Sequence, residues 1–151
     1  MKILIATDTY FPNVSWAAYF TYRFAGALAQ KGHAVFVICP SQSFEDTVIN
    51  EDQVVVYGIC SIPVLVHQNF RISPGFFLNK SIDKIIKEVS PDVVHIQDHF
   101  IIGKEVAKIA KKFNIPVVGT NHFMPENFLH YLHLPKTIEK PVRKFAWKHC
   151  I

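Results

Sequence analysis

The sequence predicts an α/β fold, a Rossmann-like doubly wound parallel sheet with helices on its faces. Short apolar runs alternate with segments of helical periodicity along the whole chain, and the first three such segments are strand, helix and strand. The length of 151 residues corresponds to about one domain, and half of the residues are hydrophobic. With 19% charged residues and no run near the roughly 18 apolar residues that span a bilayer, an integral membrane protein is not expected.

The first strand–helix–strand unit shows the pattern best. Residues 2–7 form a β-branched run typical of a buried parallel strand, and 34–39 form a second. Residues 16–31 predict the helix between them, with Ser15 suited to cap its start and Gly32 placed for a C-terminal glycine. The helix is expected to bury an apolar face made of Trp16, Phe20, Phe24, Ala27 and Leu28.

The rest of the chain continues the alternation. Residues 41–53 are polar and predict a loop, and 61–76 predict an irregular segment. Further strands are predicted at 54–60, 92–97 and 115–120, and further helices at 77–89, 103–113, 126–133 and 136–149. Because no strand follows the last helix, residues 1–151 are expected to be the front part of something longer.

The charge distribution and the cysteine content bear on which partners the chain binds and in which cell compartment it works. Residues 102–151 carry nine Lys or Arg against three acids, whereas residues 1–101 carry seven against nine, so the basic excess lies in the C-terminal third. No nucleic-acid partner is expected because no recognition motif occurs. Three cysteines without a C-x-x-C pair favour a reducing compartment, and the start is too short for a signal peptide. The expected localisation is cytoplasmic, either free or peripheral on the inner face of the membrane.

Candidate site residues follow the predicted strands. In an open parallel sheet, ligands bind beyond the carboxyl ends of the strands. Asp8 either accepts hydrogen bonds from a ligand or braces the loop at 9–14, and His95, inside a strand, is expected to be a satisfied core histidine. Neither a G-x-G-x-x-G nor a P-loop motif occurs, which argues against a dehydrogenase and a P-loop enzyme. The strand-end residues are Thr7, Asp8, Thr9, Pro40, Ser41, Asp98, His99, Thr120, Asn121 and His122.

The last predicted helix carries lysines at every fourth position. They form either a solvated face or a basic surface that meets an anionic membrane. The loop at 70–80 mixes aromatic residues with Arg71, and it either touches lipid or packs on the sheet. The residues concerned are Arg71, Lys136, Lys140, Lys144 and Lys148.

Four segments together resemble a known family. MKILIATDTYFP, ALAQKGHAVFVICP, SPDVVHIQDHFIIG and IPVVGTNHFMPEN occur in an order and spacing similar to those of the N-terminal domain of retaining glycosyltransferases with the GT-B fold. The similarity extends to the group that includes diacylglycerol glucosyltransferases, sulfolipid synthases and phosphatidylinositol mannosyltransferases. The TNHFMPEN segment is the most specific and points to enzymes that glycosylate lipids.

The resemblance implies an acceptor-side half that faces a separate donor-binding half across a cleft. It implies transfer from a nucleotide sugar to a lipid or glycan acceptor with retention, without a metal ion or other cofactor. His122 matches the histidine that faces the donor sugar, with Thr120 and Asn121 beside it. Asp98 and His99 match the loop on the acceptor side.

The loop at 9–16 matches the one that approaches the donor phosphate, where backbone amides near Ser15 and Trp16 would stabilise the leaving group. A route through a covalent intermediate would need a carboxylate near the anomeric carbon, for which Asp98 and Glu126 are the candidates. Glu126 equally suits a helix start, where an acid favours the helix dipole.

Two departures from the family pattern are visible. The family usually has a glycine pair in the phosphate-approach loop, whereas this chain has Val14-Ser15-Trp16-Ala17-Ala18. The donor-binding half is absent, so the chain alone is expected to be inactive or weakly active. The alternative is a non-catalytic binding module or a split-enzyme subunit that pairs with a separate donor-binding chain.

Overall fold

The structure, a computed structural model, describes residues 1–64, 67–122, 140–142 and 144, with the backbone alone at 67–70, 76 and 77. The chain divides into two units, Met1–Thr120 and Asn121–Ile151. In the second unit, 140–142 and 144 are helical, inside the predicted helix at 136–149. The predicted helix at 126–133 lies outside the described residues.

Strands and helices alternate through the first unit. In chain order they are β1 (Lys2–Ala6), α1 (Trp16–Gln30), β2 (Ala34–Pro40), β3 (Thr47–Glu51), β4 (Val54–Ile59), β5 (Ile62–Val64), β6 (His67–Ile72), α2 (Gly75–Val89), β7 (Val93–Ile96), α3 (Ile101–Lys112) and β8 (Val117–Gly119). None of the helices within the described ranges is long and apolar enough to cross a membrane.

Six strands form one sheet in the order β3-β4-β2-β1-β7-β8. The neighbouring pairs from β4 to β8 are parallel, and β3 is antiparallel to β4 at the edge. The predicted doubly wound parallel sheet is therefore confirmed. The order of the strands reverses between β1 and β7, since β2 and β4 lie on one side of β1 and β7 and β8 on the other. This switch point is where ligands bind in such sheets.

Alternate residues of the strands pack against opposite layers of helices. On β1, Ile3 and Ile5 join the cluster that α1 covers, whereas Leu4 and Ala6 join the cluster that α2 and α3 cover. A sheet buried on both faces explains why the central strands are continuous apolar runs rather than alternating ones.

Two segments that the sequence analysis predicts as loop or irregular contain strands. Residues 41–53 include β3, and 61–76 include the antiparallel hairpin β5–β6. β3 is an edge strand with Val48 and Ile49 exposed, so it lacks the apolar run of a central strand. Its turn to β4 uses Asp52 and Gln53 at positive φ, and no glycine marks it in the sequence.

The predicted ends of α1 are confirmed. The Ser15 hydroxyl accepts a hydrogen bond from the Ala18 N–H at 3.1 Å, and Gly32 follows the helix at a φ of 84°.

The predicted buried face of α1 is wrong for Trp16, Phe20 and Ala27 and holds in part for Phe24 and Leu28. The helix buries a row of small side chains, and its large aromatic residues at 16, 19 and 20 are exposed. Phe24 and Leu28 do pack partly against the core, whereas Ala27 is exposed. Small side chains let the helix approach the sheet closely, and a helix can bury only one side in this way. The buried residues are Ala18, Thr21, Ala25 and Ala29.

Candidate functional site

Two carboxylic acids follow the central strands at the switch point. Asp8 comes two residues after β1 ends, and Asp98 comes two residues after β7 ends. Both are buried, and Asp98 is only 5% exposed. Acidic side chains are rarely buried unless other groups satisfy them. The contacts of these two residues therefore define the base of the site.

Asp8 holds the start of α3. Its carboxylate accepts hydrogen bonds from the backbone N–H groups of Ile102 at 2.9 Å and Gly103 at 3.3 Å. Phe100, the N-cap residue of α3, has no side-chain capping bond, so Asp8 supplies the missing acceptor from a distant part of the chain. The groups bound belong to α3 and not to the loop at 9–14, and the predicted contact of Asp8 with a ligand stays untested.

Gly103 lets α3 begin close to β7. A Cβ atom at this position would overlap the carbonyl oxygen of Asp98. The close approach brings the positive end of the α3 dipole to Asp8, which favours the charged form of its carboxyl group.

Burial disfavours the ionised form of both acids. Burial is the main cause that raises the pKa of Asp98 to about 7, and the neighbouring Asp8 charge adds to it. Hydrogen bonds with the Thr7 side chain and the Asp8 N–H act in the opposite direction. The pKa of Asp8 is also raised by burial, against the lowering effect of the α3 amides. The pair therefore carries less than two negative charges near neutral pH.

Arg71 ties together the ends of β2 and β4. Its Nε donates to the Ser61 hydroxyl at 2.7 Å and to the Ser41 carbonyl at 3.0 Å, and its Nη2 donates to the Ser61 carbonyl at 2.7 Å. The guanidinium lies 5.5 Å from the centre of the Phe44 ring. The prediction that Arg71 contacts a membrane stays untested, but its Nε and one N–H of Nη2 are used within the protein.

The loops after the strands enclose a small depression that contains both predicted and unpredicted residues. Asp8, Thr9 and Pro40 were expected at this rim. Tyr10 and Asn13, from the loop at 9–16, also line it, together with Gln42 and Arg71, which no site motif in the sequence marks. Arg71 comes from the β5–β6 hairpin, whose irregular pattern gave no signal that it would reach the rim.

The histidines of the first unit have different surroundings. His95 Nε2 lies 2.8 Å from the Thr120 hydroxyl, and its ring meets Phe24 edge-on at 5.3 Å. The predicted hydrogen-bonded state of His95 is confirmed, with Thr120 as its partner, although the side chain is half-buried rather than in the core. His99 lies 4.8 Å from the Phe100 ring, and burial lowers its pKa, so it is neutral at pH 7.

The start of α1 carries bulky side chains that project into solvent. Val14 is exposed and Trp16 is 82% exposed, while the Ser15 hydroxyl is used in capping.

The remaining site predictions fall on the second unit. Burial lowers the pKa of His122, which is therefore a neutral imidazole at pH 7, and Asn121 precedes it. Lys140 and Lys144 are exposed. Glu126, Lys136 and Lys148 lie outside the described residues, so their predicted roles are untested. Within the described residues, no three His, Cys, Asp or Glu side chains come together as a metal site.

Comparison with known proteins places this geometry in a family context. A family model described as Glycosyltransferase Family 4 matches residues 17–151. The chain is 33% identical over 132 residues to an alpha-monoglucosyldiacylglycerol synthase of Streptococcus pneumoniae, which covers 87% of this chain and 29% of that protein. It is 31% identical over 150 residues to the protein of the same name from Acholeplasma laidlawii, with coverages of 98% and 37%. The chain thus spans about a third of these curated relatives.

A solved structure has the same fold. Sucrose-phosphate synthase from Thermosynechococcus elongatus superimposes with a TM-score of 0.62 at 12% identity, over 95% of this chain and 39% of that one. At this identity the similarity bears on the fold alone, and it agrees with the predicted Rossmann-like half of a GT-B fold.

Proposed function

Because this chain belongs to glycosyltransferase family 4, we propose that it forms the N-terminal, acceptor-side part of a retaining glycosyltransferase. The enzyme would transfer a sugar from a nucleotide-sugar donor to a lipid or glycan acceptor. The observation that carries the proposal is the polar rim at the switch point between β1 and β7, in a chain that matches this family over most of its length. The names of the two synthases favour a diacylglycerol-based lipid as acceptor.

In the proposed reaction, the bond between the anomeric carbon and the leaving phosphate oxygen breaks, and a bond to the acceptor oxygen forms on the same face of the sugar. The acceptor hydroxyl proton moves to the leaving nucleoside diphosphate. Negative charge grows on the leaving oxygen, where the backbone amides at the start of α1 would stabilise it. The neutral His122 imidazole would donate a hydrogen bond to a hydroxyl of the donor sugar.

Asp98 has a different proposed role, on the acceptor side. Its carboxyl group is buried and hydrogen-bonded to Thr7 and Asp8, which favours shaping the rim beside His99 over attack on the sugar. The proposal includes no metal ion or cofactor, and transfer that persists in the presence of a chelator is its test. Localisation at the inner face of a membrane follows from a lipid acceptor, and the exposed Lys140 and Lys144 fit an anionic surface.

The experiment is to replace the matching segment of the Acholeplasma laidlawii synthase with this chain and to measure the formation of monoglucosyldiacylglycerol from diacylglycerol and nucleotide-activated glucose. We expect the chimera to be active. His122→Ala should lower kcat/KM about tenfold, the effect of losing a hydrogen bond of roughly 1–2 kcal/mol to a sugar hydroxyl. His33→Ala is the matched control, since His33 lies at the amino end of β2, away from the rim. Equal kcat/KM of both variants would refute the role of His122.

A further inference from the structure

The outer side of α1 presents aromatic residues next to a groove. We define the aromatic face of α1 as Trp16, Tyr19, Phe20 and Arg23. Together with Phe24 and Ala27 these residues line a groove of about 390 Å³. Trp16 is 82% exposed, Tyr19 58% and Phe20 39%.

Trp16 and Tyr19 lie outside the contact of α1 with the sheet. The helix packs through its row of small residues, with Phe24 and Leu28 partly against the core. Trp16, Tyr19 and Phe20 are exposed, and the Phe20 ring stacks on Phe24 at 5.8 Å. Single exposed apolar residues are ordinary, but a group of large aromatic side chains along one groove is characteristic of a contact surface.

The composition of the face favours a lipid interface over a protein partner. Arg23 is the one charged residue of α1, and the helix contains no acid. The Arg23 guanidinium lies 5.7 Å from the centre of the Tyr19 ring. Tryptophan and tyrosine are enriched where membranes meet water, and an arginine there keeps its charge at the headgroups while its stem lies among apolar groups. A face with a cation and no acid complements an anionic surface.

The position of the face connects it to the proposed acceptor site. α1 starts just after the loop that follows β1, so its first turn lies at the same edge of the sheet as the polar rim. We propose that the aromatic face of α1 inserts into the interfacial layer of an anionic membrane and holds the acceptor-side rim next to its lipid. This inference rests on the proposed function, because a lipid acceptor is what makes the contact useful.

Trp16 itself reports on the contact. Trp147→Phe leaves Trp16 as the sole tryptophan of the 151-residue chain. With vesicles of equimolar phosphatidylglycerol and phosphatidylcholine, we expect its emission to shift to shorter wavelength and to be quenched by lipids brominated on their acyl chains. Vesicles of phosphatidylcholine alone should bind several-fold more weakly, since each basic residue near an anionic surface contributes about 1 kcal/mol, or about fivefold in affinity.

A matched pair of variants locates the surface. Tyr19→Ala should weaken vesicle binding about tenfold or more, the effect of leaving one aromatic side chain out of the apolar layer. Phe113→Ala is the control, because Phe113 is also exposed and has the Lys87 ammonium 5.8 Å from its ring centre, but it follows α3. Circular dichroism verifies that both variants fold. The quenching experiment leaves the sequence of α1 unmodified, so it tests the contact even if Tyr19→Ala fails to fold.

Three results would overturn the inference: no binding to either vesicle, binding without a change in Trp16 emission, or equal binding of the two variants. None of them measures sugar transfer. A chimera that glycosylates detergent-dispersed diacylglycerol would keep the proposed function even if the aromatic face of α1 proved indifferent to lipid.

Discussion

Asp8 and Asp98 show how much of the site depends on contacts between residues far apart in the sequence. Their positions at strand ends could be predicted, because a run of apolar residues that stops at an acid marks the carboxyl edge of a buried strand. The bonds from Asp8 to α3 join residues 94 and 95 positions apart, and no local pattern indicates them. The same holds for Arg71, which reaches Ser41 across 30 residues.

The raised pKa of Asp98 predicts a pH dependence of stability. In the folded chain this carboxyl group titrates at about 7, above its ordinary value of 3.8, so the folded state binds more protons than the unfolded state between these values. The free energy of unfolding should therefore fall as the pH rises from about 4 to about 7 and level off above. Because Asp8 also has a raised pKa, it adds to the fall with the same sign.

Urea unfolding at pH 5 and pH 8 measures this effect. Asp98→Asn, which cannot ionise, should lose on the order of 1–3 kcal/mol of the difference in unfolding free energy between the two pH values. Asp83→Asn is the control, because it removes an acid from an exposed pair with Lys87. Its unfolding free energy should depend on pH as that of the unmodified chain does. An Asp98→Asn slope equal to that of the control would contradict the raised pKa.

At the scale of the element, α1 shows why periodicity finds a helix but not its buried side. Helix α1 carries two stripes of residues at helical spacing, one of aromatic and one of small side chains. Hydrophobicity alone predicts that the aromatic stripe is the buried one. The stripe of small side chains is the buried one, because it allows the helix to approach the sheet closely. That approach is a property of the tertiary structure. The sequence analysis did not predict β3 or the β5–β6 hairpin. β3 lies at the sheet edge and β5–β6 form a two-stranded sheet, so neither has the apolar runs that mark central strands.

Alanine substitutions of Gly103 in α3 and Gly26 in α1 test whether α3 needs its close approach to the backbone of Asp98. Gly103→Ala should lower the free energy of unfolding by about 1–3 kcal/mol, because the new methyl group must displace the backbone of Asp98. Gly26→Ala, within α1, meets nothing within 4 Å and should raise stability by about 0.4–1 kcal/mol through helix propensity and a less flexible unfolded chain. Denaturant titration of both variants measures the difference, and an equal effect would show that α3 does not need a glycine at its start.

At the scale of the whole molecule, the fold class was predictable because the alternation of apolar strands and amphipathic helices is a property of the chain as a whole, insensitive to errors at single elements. The three central strands are each within one or two residues of their predicted bounds, even though one edge strand and a hairpin were missed. Ligand selectivity does not follow from this pattern, because it depends on the few side chains that loops bring to the rim.

The last prediction concerns which half of the proposed enzyme binds the donor. If the donor is held mainly by a second domain, the 151-residue chain alone should bind nucleotide sugars far more weakly than the chimera with the Acholeplasma laidlawii synthase, since it offers one wall of the cleft. The chain also lacks the glycine pair that the family resemblance implies at 14–18, so its backbone has less freedom to approach the donor phosphate, which acts in the same direction. Isothermal titration of both proteins with nucleotide-activated glucose measures the contrast, with the His122→Ala chimera as the control that keeps the second half intact. Comparable affinity of the chain and the chimera would contradict the assignment of the donor to the other half and would favour a module that binds nucleotide sugars by itself.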